Sequence, residues 1–150
     1  MNKPSFSSNK QPIVVADADA IIAQTNPDDI HHQKANSISQ KLTAINAQVI
    51  YPTTVVAEAA THMQRVLNSN ASAFGTVQLM TDPAAQVVEV NKQTLVNSLK
   101  YFSPAASKKN TVFDCIVAAV AEEYKADAIF SFDHFYKTQG FQSAEELVSE

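Results

Sequence analysis

Four apolar residues in a row, Ile13-Val-Val-Ala16, run into Asp17-Ala-Asp19 and then resume as Ala20-Ile-Ile22. An apolar run of strand length bounded by polar residues suits a buried central strand. In open α/β sheets the carboxyl ends of such strands carry the chemistry, which makes Asp17 a candidate site residue from the outset. The rest of the chain then has to supply whatever converges on it.

The bulk of the sequence narrows what that site can be. A chain of 150 residues, 45% hydrophobic and 17% charged, is long enough for one sizeable core and too apolar for disorder. With only two glycines, Gly75 and Gly140, there is no glycine-rich loop to cradle phosphate, and a single cysteine, Cys115, forms neither an internal disulfide nor a cysteine zinc cluster. Cys115 fits a reducing compartment, so a cytoplasmic protein is expected. Residues 1–11 are polar, carry no apolar stretch of signal-peptide length and read as a flexible tail, leaving 12–150 as a single domain. Apolar runs such as Ile116–Ala121 fall far below the ~20 residues needed to span a bilayer, so no membrane partner is expected. The net charge of −4 argues against broad electrostatic capture of nucleic acid, although two divalent cations among the acids would cancel it.

Alternating strand and helix patterns follow the opening strand. The spacing of Ile30, Ala35, Ile38, Leu42 and Ile45 predicts a helix, with Asp28 or Asp29 available as its cap, and His31 and His32 open it without sharing a metal. Gln48–Pro52 reads as a second strand, followed by a helix over 54–68 that carries Glu58 and His62 one turn apart. A helix over 69–81 is expected to turn Phe74, Val77, Leu79 and Met80 inward. After a third strand at 85–90, Asn91 caps a helix reaching Phe102 with Leu95, Val96, Leu99 and Phe102 facing the core. The polar loop from Ser103 to Asn110 holds Lys108 and Lys109, the most basic point of the chain. Thr111–Tyr124 is the strongest helix pattern, interrupted by Asp114 in its first turn, and Asp127–Phe132 repeats the opening pattern of an apolar run that ends in an acid, Asp133. This order predicts an α/β fold with a mainly parallel central sheet flanked by helices, a three-layer α/β/α arrangement.

On that fold Asp17 and Asp133 share one sheet edge, where Glu58 and Asp114 can join them. Carboxylates brought within a few ångströms raise one another's pKa, and such a cluster persists mainly around hard divalent cations, Mg²⁺ or Mn²⁺. Ions of this kind can bind a phosphodiester and activate water for in-line attack.

The ordered segments Val-Val-Ala-Asp17-Ala-Asp19-Ala-Ile-Ile, Val-Val-Ala-Glu58-Ala, Thr-Val-Phe-Asp114-Cys-Ile-Val-Ala-Ala and Ile-Phe-Ser131-Phe-Asp133 together resemble the PIN-domain ribonucleases, especially VapC-like toxins of toxin–antitoxin pairs. The intervals of 41, 56 and 19 residues between successive acids suit that family. The resemblance implies a metal-dependent endoribonuclease in which Asp17, Glu58, Asp114 and Asp133 are both the catalytic acids and the metal ligands, with Ser131 supporting them from behind. It also implies a homodimer and a small antitoxin protein as partner. Asp19 departs from the family pattern, which often has Ser, Thr or Asn there, and is a candidate fifth ligand. Phe135 stands where many members carry a further acid. Lys108, Lys109 and Arg65 are candidates for phosphate contacts on the RNA substrate.

Two other readings compete. Asp17-Ala-Asp19 after an apolar strand is also similar to the Asp-x-Asp of haloacid-dehalogenase-like phosphatases, with Asp17 as nucleophile, but that leaves Glu58 and Asp114 unexplained. A non-catalytic interaction module on the PIN fold is the other, since a fold by itself establishes no activity.

Overall fold

The structure, a computed structural model, describes residues 10–149. The tail expected over 1–11 lies outside the described residues as far as position 9.

Strand β1, Ile13–Ala16, is the hub, with Val14, Val15 and Ala16 all fully buried. It pairs in parallel with β2, Gln48–Pro52, on one side and with β4, Ala128–Phe130, on the other, while β3, Gln86–Val88, extends the sheet beyond β2. The order is therefore β3-β2-β1-β4, all parallel. Because the chain leaves β1 toward β2 and returns to its other side at β4, the carboxyl end of β1 is the switch point where an open α/β sheet forms its crevice.

Strand residues alternate between two cores. Val15 pairs with Ile50 and Ile129, and these three face one layer with Val55, Ala59, Met63, Val117 and Val120. Val14, Ala16, Ala128 and Phe130 face the opposite layer with Ala35, Ile38 and Leu42. Helix α2, His32–Ala44, covers that second face, whereas α3, Thr53–Arg65, and α6, Val112–Glu123, cover the first. Helix α1, Ala18–Thr25, begins one residue after β1 and contributes to both cores. Three layers result, as the strand and helix alternation requires.

Three local expectations are corrected. Neither Asp28 nor Asp29 caps α2. Its N-cap is His31, which makes no side-chain cap, and Asp29 instead accepts from the His31 amide at 2.8 Å. Helix α4, Asn70–Met80, does pack Met80 on the core but turns Ala73 and Thr76 inward, leaving Phe74 64% and Leu79 63% exposed, with Val77 also outward. Small residues on the inner face let α4 lie close to α3, where the Thr76 hydroxyl donates to Met63 Sδ at 3.2 Å. Helix α5, Lys92–Ser98, with a 3₁₀ turn at Leu99–Tyr101, likewise buries Thr94 and Ser98 and exposes Leu95, Val96, Leu99 and Phe102. Both buried hydroxyls are satisfied locally: Thr94 closes a capping box with Asn91, and Ser98 donates to the Leu95 carbonyl at 2.7 Å. A buried polar group that keeps its hydrogen bond carries little penalty, so periodicity of apolar residues alone misassigned these two faces.

Two short helices complete the chain, α7 at Phe135–Thr138 and α8 at Ala144–Leu147. Among the described residues no helix is long and apolar enough to cross a membrane.

Candidate functional site

The backbone places each acid for a local reason. Asp17 stands between β1 and α1 as the N-cap; its amide donates to the Phe130 carbonyl at 3.0 Å, and its Oδ1 accepts from Ala18 N at 2.7 Å. Asp19 follows in the first turn of α1, where a carboxylate is favoured by the helix dipole. Asp114 is the N3 residue of α6 and completes a capping box with Thr111, accepting from the Thr111 amide through Oδ2 at 2.9 Å. Asp133 lies just past β4, with its Oδ1 accepting from Phe135 N at 2.9 Å to start α7. Glu58 lies on the second turn of α3, the helix that leaves β2 directly.

Four of these acids are joined by hydrogen bonds. The Tyr136 hydroxyl lies 2.6 Å from Asp17 Oδ2 and 3.3 Å from Asp114 Oδ1. Asn110 Nδ2 donates to Asp114 Oδ2 at 3.3 Å and to Asp133 Oδ2 at 3.0 Å. Ser131 Oγ accepts from the Asp133 amide at 3.0 Å and lies 3.0 Å from Asp19 Oδ2 and 3.4 Å from Asp17 Oδ2. Phe132 N also donates to Asp19 Oδ2, at 2.7 Å. Glu58 has no partner in this network and makes no ion pair with His62; it feels the others through charge alone. Tyr136 and Asn110 are the two site residues that sequence reasoning missed. Tyr136 reads as one more apolar anchor of the tail, and Asn110 as loop. The sequence signal available for Asn110 was its place four residues before Asp114.

The electrostatics are those of anions held without countercharge. None of the ion pairs among the described residues, Lys34–Glu145, Lys100–Glu122 and Lys137–Glu146, includes one of these acids, although Lys34, Lys137 and Glu145 line a cavity of about 260 Å³ with Ser131 and Asp133. Burial, then the charge of Asp19, holds Asp17 well above the ordinary carboxylate range despite the Tyr136 and Ala18 hydrogen bonds. Burial pushes Asp19 up to about 6, against the opposing bonds from Phe132 and Ser131. Glu58 rises to about 7 through burial and then the charges of Asp114 and Asp19, and burial also raises Asp114. Burial and the facing carboxylates, Asp17 first, push the Tyr136 phenol far above its usual value, so it remains a donor.

Two buried carboxylate oxygens, Asp19 Oδ1 and Glu58 Oε1, have no hydrogen-bond partner. An unpaired buried acceptor is costly, and a hard divalent cation satisfies such oxygens better than any group now facing them. The donor set, all carboxylate, suits Mg²⁺ or Mn²⁺. Among the described residues, however, no three His, Cys, Asp or Glu side chains stand arranged as a metal-holding group. The sheet edge brings the acids together, yet hydrogen-bond donors hold them rather than one another.

Of the predicted basic residues, the two lysines adjoin the acids through the loop, and Arg65 stands at the far end of α3. Lys108 and Lys109 are exposed immediately before Asn110, whose side chain reaches two of the acids. Arg65 is exposed at the end of α3 and lines a groove of about 310 Å³ with Glu58, Thr61, His62 and Phe113. His31, read as a non-ligand, stacks on Phe132 with centroids 4.2 Å apart, and His32 Nδ1 lies 2.7 Å from the Ala23 carbonyl.

A family model for the PIN domain matches residues 14–140. Among solved structures, the chain is similar to Mycobacterium tuberculosis VapC20, described as a sarcin-ricin loop cleaving toxin, with a TM-score of 0.75 at 16% identity, covering 85% of this chain and 95% of that one. It is also similar to PAE2754 from Pyrobaculum aerophilum, with a TM-score of 0.57 at 16% identity, covering 92% of this chain and 88% of that one. At such identities these two likenesses concern the fold. No curated protein matches the sequence.

Proposed function

The chain belongs to the PIN-domain family, and from that premise we propose that it is a metal-dependent endoribonuclease, the toxin of a toxin–antitoxin pair. The observation that carries the proposal is the set of five carboxylates, Asp17 and Asp19 after β1, Asp133 after β4, Glu58 on α3 and Asp114 on α6, in no ion pair with lysine or arginine among the described residues and retaining two buried oxygens without partners. In this reading Asp17, Glu58, Asp114 and Asp133 hold Mg²⁺ or Mn²⁺, with Asp19 as a further donor. A bound ion supplies Lewis-acid charge for the phosphodiester and for an attacking water.

The chain's own groups do the positioning. Asp17 and Asp114 are fixed by the backbone amides of Ala18 and Thr111, so each presents one defined oxygen. Asn110 sets the separation of Asp114 from Asp133, and Ser131 orients Asp19. Lys108, Lys109 and Arg65 contact RNA phosphates on either side of the acids. VapC20 is itself described as a sarcin-ricin loop cleaving toxin, which supports assigning RNA as substrate here. An antitoxin partner and a homodimer belong to the same reading, and the outward apolar side chains of α4 and α5 offer surface for such contacts. The phosphatase reading loses ground because Asp17 is 5% exposed with both oxygens engaged, a poor posture for a nucleophile.

Incubating the purified protein with total RNA in Mn²⁺ or in EDTA tests the proposal. Cleavage in Mn²⁺ that disappears in EDTA and in Asp114→Asn supports it. Cleavage that persists in EDTA or in Asp114→Asn refutes the mechanism. A binding partner without any cleavage favours the interaction module instead.

A further inference from the structure

We propose that the Tyr136 hydroxyl occupies the position a cation bridging Asp17 and Asp114 takes, so that loading the site requires this hydroxyl to move away. The inference rests on the reading of those acids as a cation site. Of the two oxygens of Asp17, Oδ1 is bound by the Ala18 amide, leaving Oδ2, on which Ser131 Oγ makes only a long 3.4 Å contact; of those of Asp114, Oδ2 is bound by the Thr111 amide and Asn110, leaving Oδ1. The two oxygens that remain are the two Tyr136 reaches, at 2.6 and 3.3 Å. A hard cation held by these oxygens would compete with the hydroxyl for them.

A phenol is a weaker occupant than an ion. It has one hydrogen, which goes to the nearer Asp17 Oδ2, and at 3.3 Å it does little for Asp114 Oδ1. The hydroxyl therefore separates two carboxylates and satisfies one of them. Asp17 and Asp114 are anchored to the amides of α1 and α6, and the Tyr136 ring is held in the core, so what has to yield is the hydroxyl's contact with the two acids.

Calorimetric titration of Mn²⁺ into wild type and Tyr136→Phe tests this, because the substitution removes the hydroxyl and keeps the buried ring. The expected result is binding about tenfold tighter in the variant, the loss of one competing hydrogen bond to a charged group. A spectroscopic arm uses wild type labelled with 3-fluorotyrosine: the ¹⁹F resonance missing from Tyr136→Phe should shift on adding Mg²⁺. Should the variant not fold, that resonance is assigned by elimination with Tyr51, Tyr101 and Tyr124 variants. Unchanged or weaker Mn²⁺ binding in Tyr136→Phe, or a Tyr136 resonance indifferent to Mg²⁺, overturns the proposal while leaving the cation site standing. Absence of Mn²⁺ binding in both proteins removes the cation site and this inference with it.

Discussion

Replacing Asp19 by Asn should stabilise the metal-free protein at neutral pH and leave it nearly unchanged in acid. Asp19 Oδ2 accepts from Ser131 and Phe132 N, roles an amide oxygen can keep, while Oδ1 is buried without a partner. Burial moves its pKa from 3.8 to about 6, so the folded state holds the proton more tightly than the unfolded chain. Stability from this group is therefore fully present below about pH 3.8 and is lost as pH rises through about 6. The rise is worth about 2–3 kcal/mol at pH 8, after allowing for screening at its partly exposed edge. For a chain of this size that is roughly 5–10 °C in Tm. Thermal melts of wild type and Asp19→Asn in EDTA, from pH 4 to pH 8, should show curves that nearly coincide at pH 4 and separate mostly before pH 6.5. Melts that stay parallel across the range, or a variant less stable at pH 8, would refute the claim that Asp19 is a carboxylate held against its preference.

Asn110→Ala removes the side-chain donor that, among the described residues, Asp114 and Asp133 share and should weaken Mn²⁺ binding by about 10–100-fold in calorimetry, opposite in sign to the tyrosine substitution; equal affinity would mean the asparagine only tidies a loop. In an Asp114→Asn background, replacing Lys108 and Lys109 by Gln should lower the slope of log affinity for single-stranded RNA against log salt by about 1.4, that is about 0.7 for each lost phosphate contact. An unchanged slope would place the RNA elsewhere.

Sequence patterning was most informative where a residue's environment is set by its immediate neighbours. An apolar run that ends in Asp17 suits a buried strand with an acid at its end, and the pairing of Ala16 with Phe130 puts Asp17 beside the turn that carries Asp133, as the repeated pattern implied. Asp114 was legible because it is the one charge in the apolar first turn of the strongest helix pattern; that it also closes a capping box with Thr111 came only with the structure. Patterning failed where polar residues satisfy themselves and point inward. Thr94, Ser98 and Thr76 are buried because each finds a hydrogen-bond partner nearby, and no apolar periodicity reports that. Tyr136 escaped for a related reason. Its ring behaves as the core residue its pattern suggests, and only the meeting of three separate elements shows that its hydroxyl lies between two acids.

The central claim is that these carboxylates converge on a divalent cation. A crystal soaked in Mn²⁺ and measured at the manganese absorption edge tests it directly. The account predicts an anomalous peak within about 2.3 Å of Asp17 Oδ2 and Asp114 Oδ1, with the Tyr136 hydroxyl displaced from between them. No peak at that edge of the sheet, or one bound only to surface acids such as Glu145 and Glu146, would contradict it.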